Sequence, residues 1–155
     1  MPEPGPAPAV DAAPPRRRPL TGGDVAWGVG VVLYLGFVAF ATLAPTPWAT
    51  QGAQPHRGIL DPEMWADPVT WTSGSPREFM LNVMLFVPVG LLAARFGVVR
   101  GFAASVALTF AIEVLQIPMP DRISDPRDLV ANAAGAAFGV AVVASARRSA
   151  LPSQP

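Results

Sequence analysis

The run VAWGVGVVLYLGFVAFATLA, residues Val25–Ala44, constrains the fold more than any other feature, because its 20 residues include no charged side chain. That length matches the roughly 20 residues that a helix needs to cross a hydrocarbon core. A cleaved signal peptide is the alternative interpretation, since Arg16, Arg17 and Arg18 precede the run. However, signal-peptide apolar regions span about 7–15 residues, and Pro45 directly follows the small-residue site TLA. The run therefore predicts an uncleaved transmembrane helix.

Three further apolar segments follow, at Phe79–Ala94, Gly101–Ile117 and Leu129–Ala146. The first two are short for a complete span, so we expect interfacial residues to extend their ends. Hydrophobic residues make up 51% of the chain and charged residues only 14%, against about 25% charged in an average soluble domain. The sequence predicts an all-α fold, an integral membrane bundle of four transmembrane helices.

The remaining segments are polar. Residues 1–24 are rich in Pro, Ala and Gly and predict a disordered cytoplasmic tail. Residues 25–146 form the predicted four-helix domain, and residues 147–155 a short cytoplasmic tail. The loop at 45–78 contains three tryptophans suited to the membrane interface, Trp48, Trp65 and Trp71.

The placement of arginine predicts the orientation. With the N-terminus inside, seven of the eleven arginines lie on the cytoplasmic side, close to helix ends. They are Arg16, Arg17, Arg18, Arg95, Arg100, Arg147 and Arg148. The positive-inside rule then favours a multi-pass protein of the bacterial plasma membrane with both termini in the cytoplasm.

Composition also narrows the function. The formal net charge is zero and no basic patch carries interleaved aromatic residues, so we expect no nucleic-acid partner. The absence of cysteine excludes disulfides and thiolate chemistry, and the one histidine, His56, argues against a zinc site. No Ser-His-Asp pattern, cysteine nucleophile or phosphate-binding loop occurs, and we predict no cofactor.

Polar residues cluster where three of the predicted helices meet the outer surface. Glu113 interrupts an apolar run, Gln116 follows it at i+3 on the same helix face, and Asp125-Pro126 is typical of a helix N-cap followed by proline. An ionised side chain in hydrocarbon needs a partner, a proton or a water-filled pocket. We therefore expect one outward-facing polar pocket built from Asn82, Glu113, Gln116, Arg122, Asp125, Asp128 and Asn132.

Each of these residues has a structural and a functional interpretation. Glu113 either ties helices together or binds a ligand or proton, and intramembrane ionisable residues favour function. Arg122 could form an ion pair with Glu113, hold an anionic lipid head group, or simply lie in solvent. Asp125 is best explained as a cap and Asp128 as a cap support or a site acid. Asn82 and Asn132 resemble interhelical hydrogen-bonding residues.

The carboxylates could also suit Mg²⁺ or Ca²⁺. The spacing of a calcium-binding loop is absent and Arg122 would compete for the carboxylates, so we predict no metal site.

Small residues mark the last helix. Gly135 and Gly139 have the G-x-x-x-G spacing that lets two helices approach closely. This face should draw the helix against a neighbour and hold Asn132 inward, and it is also a candidate surface for a homo-oligomer. Pro88 and Gly90 should kink or thin the second predicted helix, freeing a carbonyl that needs a partner.

The motifs NVMLFVPVG, EVLQ and DRISDPRDLVANAAGAAFG, within residues 78–140, resemble the VanZ-like family of bacterial membrane proteins. The matching positions are Asn82, Phe86, Pro88, Gly90, Glu113, Gln116, Arg122, Asp125, Asp128, Asn132, Gly135 and Gly139. The family takes its name from a member linked to teicoplanin resistance. The resemblance thus implies a cell-envelope membrane protein, with a link to glycopeptide resistance as one expectation.

Three classes of function remain open. The first is a binding or accessory protein whose pocket recognises membrane lipids or a lipid-linked envelope component. The second is a membrane enzyme in which Glu113 or Asp128 acts as general base on a lipid-linked substrate. The third is a small transporter, which would need to assemble as an oligomer because four helices make a thin bundle.

Overall fold

A computed structural model describes residues 1, 20–45 and 57–150. Four long helices are apolar enough to cross a membrane, which confirms the predicted all-α membrane bundle. They are α1 (Gly22–Leu43), α4 (Pro76–Ala93), α5 (Val98–Gln116) and α6 (Pro126–Ser149). Two short helices, α2 (Pro62–Ala66) and α3 (Pro68–Thr72), lie between α1 and α4. Most of the predicted N-terminal tail, the end of the C-terminal tail, Trp48 and His56 lie outside the described residues.

Polar caps set where the helices begin. Thr21 and Asp24 form a capping box at the start of α1, and Ser75 and Glu78 form another at the start of α4. Each helix therefore begins three residues before its predicted apolar segment, because the first turn is made of capping residues rather than apolar ones. The predicted N-cap Asp125 is confirmed, since its side chain accepts a hydrogen bond from the Arg127 N–H at 2.8 Å.

Helices α4 and α6 pack with their backbones in contact. A Cβ added at Gly135 would lie 2.0 Å from the Val83 carbonyl oxygen, and one at Gly139 would lie 2.2 Å from that of Val87. Gly90 on α4 in turn lies directly against the Ala136 backbone of α6. The predicted close approach is confirmed, with α4 as the neighbour. The same glycines are therefore buried within one chain, and a homo-oligomer through them stays a prediction.

Helix α1 packs more loosely than the others, with only Val38 and Thr42 buried. Val38 joins the core formed by Phe86, Val89, Ile112 and Ala136. The remaining face of α1 is apolar and exposed, as a lipid-facing helix requires.

A tyrosine on α1 forms a hydrogen bond to α4 close to Pro88. The Tyr34 hydroxyl donates to the Leu85 carbonyl at 2.8 Å, three residues before Pro88. Pro88 lacks the N–H that would pair with the carbonyl of Met84, four residues earlier, and Leu85 is the next residue along. This hydrogen bond therefore links α1 to the part of α4 where the ladder is interrupted.

The end of the bundle where α1 begins carries its own polar contacts. Arg95 forms an ion pair with Asp24 and lies over the Trp27 ring, with 4.7 Å between the guanidinium carbon and the ring centroid. Arg147 on α6 donates to the Ala94 carbonyl at 3.0 Å. These contacts join α1, α4 and α6 at the end opposite to the predicted pocket.

Candidate functional site

A polar cavity of about 340 Å³ lies where α1 and α5 end and where α4 and α6 begin. We call it the outer cavity. Six of the seven predicted site residues line it, and they come from the three helices α4, α5 and α6 and from the loop after α5. Its lining residues are Ala41, Thr42, Leu81, Asn82, Leu85, Glu113, Gln116, Arg122, Asp128 and Asn132.

Glu113 is the most deeply buried carboxylate of the described chain, with 1% of its surface exposed. Its Oε2 accepts the backbone N–H of Asp125 at 2.9 Å, and the Ser124 side chain hydrogen bonds to the same carboxylate. These donors precede the N-terminus of α6, the end where a helix favours negative charge. Glu113 thus ties α5 to the start of α6 while also lining the outer cavity.

Ser124 is a site residue that the sequence analysis missed. It is fully buried, and its hydroxyl oxygen accepts the Ile59 N–H at 3.2 Å. Ile59 belongs to a turn, Gly58–Leu60, where the first loop returns to the bundle. The Trp65 indole donates to the Ile59 carbonyl at 2.9 Å, so this turn is fixed from both sides. The first loop therefore closes over Glu113 through Ser124.

Asn132 lies on α6 with 3% of its surface exposed. Its Nδ2 donates to the Thr109 hydroxyl oxygen on α5 at 2.8 Å. Thr109, the second residue missed, lies one turn before Glu113 on the same helix face. The Asn132 Oδ1 is buried without a hydrogen-bond partner among the described residues. A buried carbonyl oxygen without a donor costs free energy, and it is normally matched by water or a ligand.

Arg122 binds the end of α1 rather than a carboxylate. Its Nη2 donates to the carbonyls of Ala41 at 3.1 Å and Ala44 at 2.7 Å. A cation at a helix C-terminus also complements the helix dipole. Of the three alternatives for Arg122, the ion pair with Glu113 is not formed within the described part of the chain. Its Nε remains buried without a protein partner in the same part of the chain.

Gln116 supports the same end of α1. Its Nε2 donates to the Thr42 carbonyl at 2.9 Å. Thr42 is itself buried, and its hydroxyl donates back to the Val38 carbonyl at 2.8 Å. Two side chains from α5 and the following loop therefore hold the C-terminus of α1 against the outer cavity.

The start of α6 contributes two more carboxylates. Burial raises the pKa of Asp125, while the Arg127 backbone N–H and guanidinium oppose that rise. Asp128 lies in the first turn of α6, and Asn82 on α4 hydrogen bonds to its side chain. Asp125 thus acts as the cap, and Asp128 links α6 to α4 at the cavity wall.

A second space of about 470 Å³, the rim cavity, adjoins the outer cavity and shares Leu81, Asn82, Arg122 and Asp128 with it. Asp125 lines the rim cavity and not the outer one. The rim cavity also contains Glu78 and Arg127, and Arg127 donates to the Ser73 carbonyl at 2.9 Å. The structure therefore brings together all seven predicted residues, six in one cavity and the seventh beside it.

Comparison with known families assigns the chain to a family. The model of the VanZ/LLP1 family matches residues 31–147, which is most of the chain. The chain belongs to the VanZ/LLP1 family. The match extends beyond the motif region at 78–140 and includes most of α1. No curated protein and no solved structure matches the chain.

In this VanZ-family chain, the seven polar or charged positions among the twelve that carried the resemblance line the outer cavity or the rim cavity. The chemistry available there is hydrogen bonding and charge. In the described residues, no cluster of three or more His, Asp or Glu is arranged to hold a metal ion. The arrangement can accept hydrogen bonds at Glu113, Asp128 and Asn132, and it can donate one at the Arg122 Nε.

Proposed function

We propose that this VanZ-family protein binds a component of the bacterial cell envelope in the outer cavity and thereby acts as an accessory protein of the plasma membrane. One observation carries the proposal. The Asn132 Oδ1 and the Arg122 Nε are buried without partners among the described residues, in a cavity of about 340 Å³. An acceptor and a donor left open in one roomy space are what a polar ligand requires.

The proposed orientation places this cavity on the outer side of the membrane. The arginine distribution favours cytoplasmic termini. Arg95, Arg147 and the first turn of α1 lie at the end opposite to the cavity, which suits that arrangement. The cavity would then open at the level of the lipid head groups and of the precursors of the cell wall. A link to glycopeptide resistance of the teicoplanin type is part of this proposal.

The proposal is tested by identifying the lipids that the purified protein retains, using native mass spectrometry. We expect the wild-type protein to carry bound lipid. Glu113→Ala and Arg122→Ala should lose it, because the first removes a cavity acceptor and the second frees the end of α1. Glu63→Gln, on the exposed short helix α2, is the matched control and should retain the lipid.

Two results would contradict the proposal. One is a wild-type protein without retained lipid. The other is the same lipid bound equally by the wild type and by both cavity variants. Turnover of the retained lipid would instead indicate the membrane enzyme with Glu113 or Asp128 as base. Uptake into proteoliposomes would indicate the transporter.

A further inference from the structure

In the outer cavity, most hydrogen-bond donors already have protein partners, whereas acceptors remain available. Its donors are largely occupied, because the Gln116 Nε2 and the Arg122 Nη2 both bind carbonyls of α1. Its acceptors are more numerous, with the carboxylates of Glu113 and Asp128 and the open Oδ1 of Asn132. A ligand for this wall must therefore bring N–H or O–H donors of its own.

A primary ammonium group fits this wall. It offers three N–H donors and a positive charge on one small atom. Glu113 and Asp128 supply carboxyl oxygens, whose ionised form a bound ammonium would favour, and Asn132 supplies a neutral acceptor with only 3% of its surface exposed. Charge-assisted hydrogen bonds of this kind are roughly twice as strong as neutral ones.

The donor left open lies on a different residue, Arg122, which lines both cavities. Arg122 is always charged, and its buried Nε has no partner among the described residues. An N–H on a guanidinium is well suited to an anionic oxygen such as that of a phosphate. A ligand with an ammonium at one end and a phosphate beside it would satisfy both open atoms.

We infer that the outer cavity binds a phosphoethanolamine head group, with its ammonium among Glu113, Asp128 and Asn132 and its phosphate against the Arg122 Nε. This assignment rests on the proposed function and names its ligand class. A space of about 340 Å³ holds on the order of ten waters, which is ample for this head group. The rim cavity continues from the shared residues Leu81 and Asn82 to the exposed Ser73 and Gly74. That continuation gives a lipid tail or a soluble ligand its way in.

The test compares three lipids with the same acyl chains, titrated onto the purified full-length protein in detergent and followed by native mass spectrometry. Phosphatidylethanolamine carries both groups. Phosphatidylcholine keeps the phosphate and the positive charge but has no N–H, and phosphatidylglycerol keeps the phosphate but has no ammonium. We expect phosphatidylethanolamine to bind at least about tenfold more tightly than either of the others.

Two variants show whether that preference belongs to this cavity. Glu113→Gln and Asn132→Leu each remove one acceptor for the ammonium. Both should reduce the preference for phosphatidylethanolamine over phosphatidylcholine to less than about threefold, because the affinity for phosphatidylethanolamine falls more than that for phosphatidylcholine. A merely unfolded protein would lose all three lipids together. Glu63→Gln on α2 should keep the full preference.

Free phosphoethanolamine, added as a competitor, separates the sources of the head group. Displacement of the lipid at millimolar competitor indicates that the head group alone is recognised, and retention indicates that the acyl chains contribute.

Equal affinity for all three lipids, with binding still lost in Glu113→Ala, would overturn the head-group assignment and leave the proposed function standing. A protein that binds none of the three and carries no other envelope lipid would overturn both.

Discussion

Gly135→Ala is expected to lower the free energy of unfolding by about 3 kcal/mol, the upper end of the usual cost of overpacking a core. The added methyl group would lie 2.0 Å from the Val83 carbonyl oxygen, a rigid backbone atom that cannot rotate away. Helices α4 and α6 would have to separate, and Asn132, three residues before Gly135, would move with them. The measurement is the thermal or denaturant midpoint of the purified protein in detergent.

The matched control is Gly28→Ala on α1, where a Cβ meets nothing within 4 Å. Replacing glycine by alanine inside a helix without a clash should stabilise it by about 0.5–1 kcal/mol. The two identical chemical changes are therefore predicted to have opposite signs. A loss of stability in Gly28→Ala as large as that in Gly135→Ala would contradict the assigned α4–α6 contact.

Glu113→Leu is expected to cost about 1–3 kcal/mol of stability, because the change leaves the buried Asp125 N–H and Ser124 without the carboxylate that they now contact. Glu113→Gln should keep most of that stability, since its amide oxygen can still accept the Asp125 N–H. The two variants separate the structural role of Glu113 from its role in binding. We expect lipid retention to fall in both variants but the free energy of unfolding to fall mainly in the first.

Unfolding midpoints and amide hydrogen exchange at Asp125 measure the structural part. Exchange should become faster in Glu113→Leu and should change little in Glu113→Gln. Equal stability of the wild type and Glu113→Leu would show that the carboxylate does not hold the start of α6.

Much of the fold follows from the order of apolar segments in the sequence. Four charge-poor runs predict four spans because backbone polar groups in lipid must pair within a helix. The predicted helix ends were wrong. Counting apolar residues starts the helix at Phe79, whereas the structure starts it earlier, at the polar capping residues Ser75 and Glu78. The spacing of apolar residues does not show which face of each helix is buried in the bundle, because the lipid-facing side is apolar as well.

The site was partly predictable for a similar reason. Glu113, Asp128 and Asn132 stand out because hydrocarbon penalises a single polar side chain, and such residues must face one another. Ser124 and Thr109 did not stand out, because hydroxyl groups are common in membrane helices and loops. A hydroxyl there can donate its hydrogen bond to a nearby backbone carbonyl and needs no other partner. Their spacing gives a usable signal for Thr109, four residues before Glu113, and the run Ser124-Asp125-Pro126 gives one for Ser124.

The choice of partner was the least predictable part. Arg122 was expected beside Glu113, yet it binds the carbonyls of Ala41 and Ala44 at the end of α1. Those carbonyls are distant in sequence, and only the packing of α1 against the loop after α5 brings them near. The neighbour of the two glycines of α6 within the chain, which is α4, was likewise not specified by their spacing.

The account depends on polar groups of three helices enclosing a water-accessible space at the outer face of the plasma membrane. The most direct measurement is thiol labelling of intact cells with a membrane-impermeant reagent, which the natural absence of cysteine makes unambiguous. Asn82→Cys, in the cavity wall, should react from outside, whereas Met84→Cys, 64% exposed on the apolar exterior of the same helix, should not. Reaction at Met84→Cys with none at Asn82→Cys would contradict the account.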